Sequence, residues 1–154
     1  MLETAENLRL SHQLCFALYA ATHAIIRSYR GMLGELGLTY PQYLVLVTLM
    51  EHSTMTSGEL ARALKLDAGT LTPLLKRLAA AGLVSRERRP EDERIVDISL
   101  TAEGWALHDG LAQTQNQVAC RTGLTPEDMA ALRASLHDLT DSLASCDREL
   151  AELV

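Results

Sequence analysis

Apolar positions between residues 8 and 36 recur with the period of a helix. Leu8, Cys15, Leu18, Thr22, Ile25, Ile26, Tyr29, Leu33 and Leu36 fall within about 100° of arc at 3.6 residues per turn, which predicts one long amphipathic helix over 8–36. Gly37 ends it, and Pro41 opens a second helix that runs to about Glu51. The unbroken apolar run Tyr43-Leu44-Val45-Leu46-Val47 places that second helix in the interior. Thr56 with Glu59 three positions on is a capping box for a short helix through Leu64. Lys65-Leu66 makes a tight connection, Asp67 caps a further helix to about Ala80, and Gly82 stops it. Two short helices joined in this way form a helix-turn-helix. Pro73, several positions inside the second of them, gives up one backbone hydrogen bond and is expected to bend the axis.

After Gly82 the pattern changes period. Leu83 to Arg88 and Ile95 to Leu100 carry β-branched residues in partial alternation and read as two strands around a charged tip, Arg89 to Arg94. A hairpin directly after a helix-turn-helix is a wing. Thr101 caps a helix from Ala102 to about Thr122, and Thr125-Pro126-Glu127-Asp128 starts the last helix with a cap, a first-turn proline and acids at the positive dipole end. That helix carries Met129, Leu132, Leu136, Leu139, Leu143, Cys146, Leu150 and Leu153 at alternating spacings of three and four, a coiled-coil-like seam. The expected fold is mainly α (α+β), one domain over 1–154, with a winged helix-turn-helix at 38–100 and dimerisation helices at 8–36 and 102–154. Apolar helices at both chain ends are explained most economically by a homodimer, which also supplies twofold DNA recognition.

Charge sharpens the reading. The net charge of −6 argues against a nucleic-acid partner until its distribution is seen. Arg62, Lys65, Lys76, Arg77, Arg86, Arg88 and Arg89 face only Asp67 and Glu87 between residues 60 and 89, a local balance of +5. Such a patch is often just a solvated face, but on a helix-turn-helix and a wing it points to double-stranded operator DNA. Thr70 and Thr72 lie near the start of the second helix of the motif, the part that meets base edges. Thr70 equally well serves only to cap its helix. Lys76 and Arg77 suit phosphates, and Arg86 is a further candidate for DNA binding. At the wing tip Asp92 can pin the Arg94 guanidinium so that it projects into a narrow minor groove; the bland alternative is a solvated turn.

The remaining chemistry is sulfur. Cys15, Cys120 and Cys146 are scattered singly, and the five histidines form no ligand cluster with them, so neither a disulfide framework nor a metal or cofactor is expected. With no leader segment and no apolar run of about 20 residues, a cytoplasmic protein without membrane contact is expected. Cys146 falls on the leucine seam and reads as packing. Cys120 points about 180° away from the stripe of Leu111 and Val118, free to act as a partner thiol. Cys15 lies on the apolar side of the first helix, where burial would make it inert. Tyr29 shares that face but sits about 21 Å further along the axis, so the two meet only across a dimer with antiparallel first helices. A phenol on the sulfur would favour thiolate, the form that attacks a peroxide.

With these residues in view the chain resembles the multiple-antibiotic-resistance regulator (MarR) family, and within it the organic hydroperoxide resistance regulators. The general pattern is matched by Leu66-Asp67-Ala68-Gly69-Thr70-Leu71-Thr72-Pro73-Leu74-Leu75-Lys76-Arg77-Leu78, Ala81-Gly82-Leu83-Val84, Pro90-Glu91-Asp92-Glu93-Arg94 and Leu100-Thr101; the sensor pattern is matched by Leu14-Cys15-Phe16-Ala17-Leu18-Tyr19 and Leu38-Thr39-Tyr40-Pro41-Gln42-Tyr43. The resemblance implies that Cys15 is a peroxidatic thiol supported by Tyr29 and Tyr40 of the partner subunit and by Tyr19. It further implies that Cys120 of the partner subunit resolves the oxidised thiol as a disulfide, so that a reduced homodimer represses its operator and an organic hydroperoxide releases it. The alternatives are a repressor of the same fold gated by a small ligand, and a thiol peroxidase. The enzyme reading is weak, because no Thr/Arg pair accompanies Cys15 to polarise a peroxide and a peroxidase needs no wing.

Overall fold

The computed structural model describes residues 8–152, with side chains to residue 146. The chain divides into two compact units, one up to Val118 and one from Ala119. The first holds helices α1 (Leu14–Glu35) and α2 (Tyr40–His52), strand β1 (Thr54–Thr56), helices α3 (Ser57–Leu64) and α4 (Ala68–Ala80), strands β2 (Val84–Arg89) and β3 (Asp92–Leu100), the short helix α5 (Ala102–Ala106), and most of α6 (His108–Arg121). The second holds the end of α6 and the long α7 (Pro126–Glu152).

The helix ends follow the local chemistry of the sequence. α1 closes with the Leu38 N–H on the Leu33 carbonyl at 2.8 Å, Gly37 at φ +69° and both leucines buried, a Schellman stop with its apolar contact. Gln42 accepts from the Thr39 N–H at the head of α2 (2.9 Å). At α3 the expected box is present, Thr56 and Glu59 each holding the other's backbone N–H. Asp67 accepts from the Thr70 N–H at 2.8 Å to cap α4. The tight connection between α3 and α4 depends on Lys65, which takes the left-handed conformation (φ 53°) that usually falls to glycine.

One core lies under the helix-turn-helix. Leu33, Val45, Leu46, Leu49, Leu60, Leu71, Leu75, Leu78 and Ile98 are fully buried. From α4, Leu71, Leu75 and Leu78 point inward while Thr72, Lys76 and Arg77 are exposed. Three buried leucines contribute roughly 2 kcal/mol each, enough to offset the cost of about 3 kcal/mol for a proline inside a helix. α4 accordingly runs through Pro73 as one element.

Several boundaries differ from the sequence-based expectation. The first helix does not begin at Leu8: Leu10–His12 is a single 3-10 turn, Gln13 is extended, and α1 starts at Leu14. Leu8 to His12 are exposed, and so short a segment without packing does not hold a helix. The single helix expected after Thr101 is two, α5 and α6, meeting at Leu107. In the wing β2 is shifted by one residue and β3 begins three residues earlier than expected, which leaves only Pro90 and Glu91 in the turn. β1 was not foreseen; it joins an antiparallel sheet of order β1-β3-β2, pairing Thr54 with Ser99 and Thr56 with Asp97.

The root of the wing is closely fitted. Thr101 caps α5 through the Gly104 N–H (3.0 Å) and donates its hydroxyl to the Gly82 carbonyl (2.6 Å). Gly104 is buried, and a methyl group there would collide with the Leu83 carbonyl. In the second unit, α7 opens on Thr125, whose hydroxyl accepts from the Asp128 N–H (3.1 Å). Of the expected seam, Leu132, Leu136, Leu143 and Cys146 are exposed and Met129 and Leu139 half-buried. Cys146 is therefore exposed, not packed, among the described residues. The side chains of Leu150 and Leu153, like the N-terminal residues 1–7, lie outside those described.

Candidate nucleic-acid interface and thiol site

The basic residues are placed by α4 and the wing. Thr70 and Thr72 stand in the first two turns of α4, with Lys76 and Arg77 further along, all exposed. The two threonines are not equivalent. Thr70 donates its hydroxyl to Asp67 at 2.8 Å and receives the helix cap in return, which holds the Asp67 carboxyl below the usual range. Thr72 has no such side-chain partner among the described residues, and its hydroxyl remains available to a base edge.

The wing corrects one pairing. Asp92 does not hold the Arg94 guanidinium; it accepts from the Arg94 backbone N–H at 3.0 Å, because the short Asp side chain reaches the amide two residues on, as in an Asx-turn. The guanidinium of Arg94 is exposed and has no acid partner among the described residues. The arginine that is pinned is Arg89, bound through two parallel hydrogen bonds to Asp97 at 2.7 and 2.8 Å. Arg86 is exposed on β2, opposite Ile98.

The thiol site starts on α1. Cys15 is exposed, contrary to the buried position that the helical stripe suggested. Around it Leu14 is 59% and Tyr19 61% exposed, with Phe16 also at the surface. Periodicity identified an apolar face correctly, but nothing in the described chain covers it. Tyr19, one turn beyond Cys15, packs against His23 with ring centroids 4.3 Å apart.

Tyr29 and Tyr40 come together at the other end of α1, 5.1 Å between ring centroids. A third phenol, Tyr43, lies 5.2 Å from Tyr29 and 5.8 Å from Tyr40. In the sequence Tyr43 stands in the apolar run of α2 and in the sensor pattern, and its spacing of three from Tyr40 is the signal that puts both on one helix face. Burial, then the Tyr29 hydroxyl, pushes the Tyr43 phenol well above its ordinary value, and burial followed by Tyr29 raises Tyr40. Raised phenols of this kind are neutral at about pH 7, and a neutral phenol can both donate and accept a hydrogen bond. An open cavity of about 360 Å³ lies beside Tyr40, lined by Ile26, Arg30, Leu38 and Pro41 among others. Cys120 is exposed near the end of α6, and Leu111 and Val118 are buried, as the periodicity of that helix indicated. Among the described residues no three potential ligands gather into a metal site, and no helix is long and apolar enough to cross a membrane.

A helix-turn-helix whose second helix shows threonines and basic residues to solvent, followed by a basic hairpin, defines a winged-helix DNA-binding regulator of transcription. The chain belongs to the MarR family, whose model matches residues 38–96. The organic hydroperoxide resistance transcriptional regulator of Bacillus subtilis (strain 168) is 40% identical over 138 residues, 90% of this chain and 94% of its own length. The solved structure of reduced AbfR bound to DNA is similar with TM-score 0.78 and 34% identity, covering 92% of this chain and 96% of its own. Disulfide-formed AbfR matches with TM-score 0.63 and 35% identity, over 88% and 96% of the two chains.

Proposed function

We propose that this protein is a thiol-switched repressor: a reduced homodimer holds its operator and releases it when an organic hydroperoxide oxidises Cys15. The observation that carries the reading is the exposed Cys15 on an apolar helical surface that the described residues leave uncovered. A second copy covers that surface and brings Tyr29 and Tyr40 of the partner subunit to the sulfur. The cavity beside Tyr40 leaves room there for side chains of the paired first helix. Similarity to a regulator named for organic hydroperoxide resistance, and to a regulator solved in reduced and disulfide states, supports the same chemistry.

The Cys15 thiolate attacks the outer oxygen of the hydroperoxide. The O–O bond breaks, an alcohol leaves after protonation, and the sulfur becomes a sulfenic acid. The thiol of Cys120 of the partner subunit then attacks that sulfur, an S–S bond forms and water departs. A disulfide requires Cα atoms within about 7 Å, so its closure moves helix ends and re-aims the recognition helices. Operator contacts come from Thr72, Lys76, Arg77, Arg86 and Arg94, with Thr70 fixing the start of the recognition helix. Electrophoresis without reductant after treatment with cumene hydroperoxide tests the resolving step. A covalent dimer forms in wild type and in Cys146→Ser and is absent in Cys120→Ser; its persistence in Cys120→Ser assigns the step to another thiol.

The alternative of a ligand-gated repressor draws on the same cavity, where Arg30 beside an aromatic ring suits a small carboxylate. That reading requires release by a ligand in protein without Cys15, whereas the thiol switch requires the sulfur.

A further inference from the structure

The wing arginines differ in what they hold. In the β2–β3 register Glu87 stands opposite Asp97, and like charges directly across a sheet repel. Arg89 compensates by gripping Asp97 through Nε at 2.7 Å and through a terminal nitrogen at 2.8 Å, the two-pronged geometry that makes an Arg–carboxylate pair directional. On its other side Asp97 is paired in register with Thr56 of β1, the residue that caps α3. Asp97 thus occupies the strand that joins the wing to the first helix of the helix-turn-helix. The register also breaks beside Arg89. Arg88 pairs with Val96 but Arg89 pairs with Asp92, so residues 93–95 of β3 have no counterpart on β2. Arg94 is the middle one of these, thrown off the ladder as bulged residues are, with its amide tied to Asp92.

We propose that the Arg89–Asp97 pair is a brace that sets how the wing presents Arg94 to DNA, which makes Arg89 and Asp97 positioning residues of the operator interface and not phosphate contacts. The inference rests on the operator-binding reading given above. It carries a sign that simple electrostatics opposes. Removing a negative charge from a surface that faces a polyanion tightens binding by the field alone; removing Asp97 from a brace weakens it.

The test uses reduced full-length protein and duplexes that the wild type selects from a random-sequence pool, with affinity measured by fluorescence anisotropy over a range of salt. Asp97→Asn and Arg89→Ala each weaken binding severalfold. Neither changes the slope of log affinity against log salt, and the double variant is no weaker than either single one, as coupled partners require. Arg94→Ala in the same series lowers the slope by about one. Binding by Asp97→Asn equal to or tighter than wild type, or a slope lowered by about one in Arg89→Ala, overturns the brace while leaving operator binding intact. Failure of the wild type to enrich any duplex overturns the operator reading and the brace with it.

Discussion

Cys15 and Tyr29 share one face of α1, yet about 21 Å of helix axis separates them at 1.5 Å per residue. No rotamer spans that distance within a straight helix. Tyr29 is buried against Tyr43 and the half-buried Tyr40 while Cys15 is exposed, so in the proposed switch the two halves of the thiol site lie apart within one chain and a second copy joins them.

Loss of the supporting phenols should slow the chemistry without touching DNA binding. In Tyr29→Phe/Tyr40→Phe the second-order rate of Cys15 oxidation by cumene hydroperoxide, followed by loss of titratable thiol, falls about tenfold or more, the yield of a hydrogen bond to a charged sulfur. Reduced-state operator affinity stays at the wild-type value. An unchanged oxidation rate would show that these tyrosines do not act on the sulfur.

The two threonines of the recognition helix separate in their effects. Thr70→Val loses the hydroxyl that Asp67 holds and lowers thermal stability. Thr72→Val keeps the cap and instead changes which duplexes are selected, because its hydroxyl is the one left for bases. Equal shifts in stability for both would refute the division of roles.

The Asp67 carboxyl is held below its ordinary value first by the Thr70 hydroxyl and then by the Thr70 N–H. A group depressed in the folded state stabilises it fully above the unfolded pKa of about 3.9. That stabilisation fades as pH falls through the lower folded value. Thermal midpoints between about pH 6 and pH 2 therefore drop less steeply at the acid end in Asp67→Asn, which is less stable than wild type at neutral pH. A parallel acid limb in the variant would contradict the assignment.

Gly104→Ala sets a methyl group against the Leu83 carbonyl and the Leu100 side chain. The backbone cannot yield there, since Thr101 and Gly82 are hydrogen-bonded beside it. A loss of roughly 1–3 kcal/mol in urea unfolding is expected, and a neutral result would show the wing root to be loose.

The features that the sequence revealed are those made by neighbours in the chain. Thr56 with Glu59, Asp67 ahead of α4, and the glycine stops at Gly37 and Gly82 act over a few residues and are visible as spacing. Lys65 gave no such sign, because a left-handed residue other than glycine is tolerated only where the surrounding packing enforces it. β1 is three residues long and exists through its pairing with β3, a partner far along the chain. At the wing, the adjacency of Asp92 and Arg94 suggested an ion pair, while the strong pair formed diagonally across the hairpin between Arg89 and Asp97. For Cys15 the stripe was read correctly and its burial was not, since helical period shows which face is apolar and leaves open whether its cover comes from the same chain or from a second one.

In the proposed mechanism the Cys15 sulfur is the switch. An electrophoretic mobility shift on a duplex selected by the reduced wild-type protein, repeated with Cys15→Ser before and after cumene hydroperoxide, tests it directly. Both proteins are expected to bind the duplex when untreated, and peroxide to release only the wild type. Release of Cys15→Ser at the same peroxide concentration as wild type would contradict it.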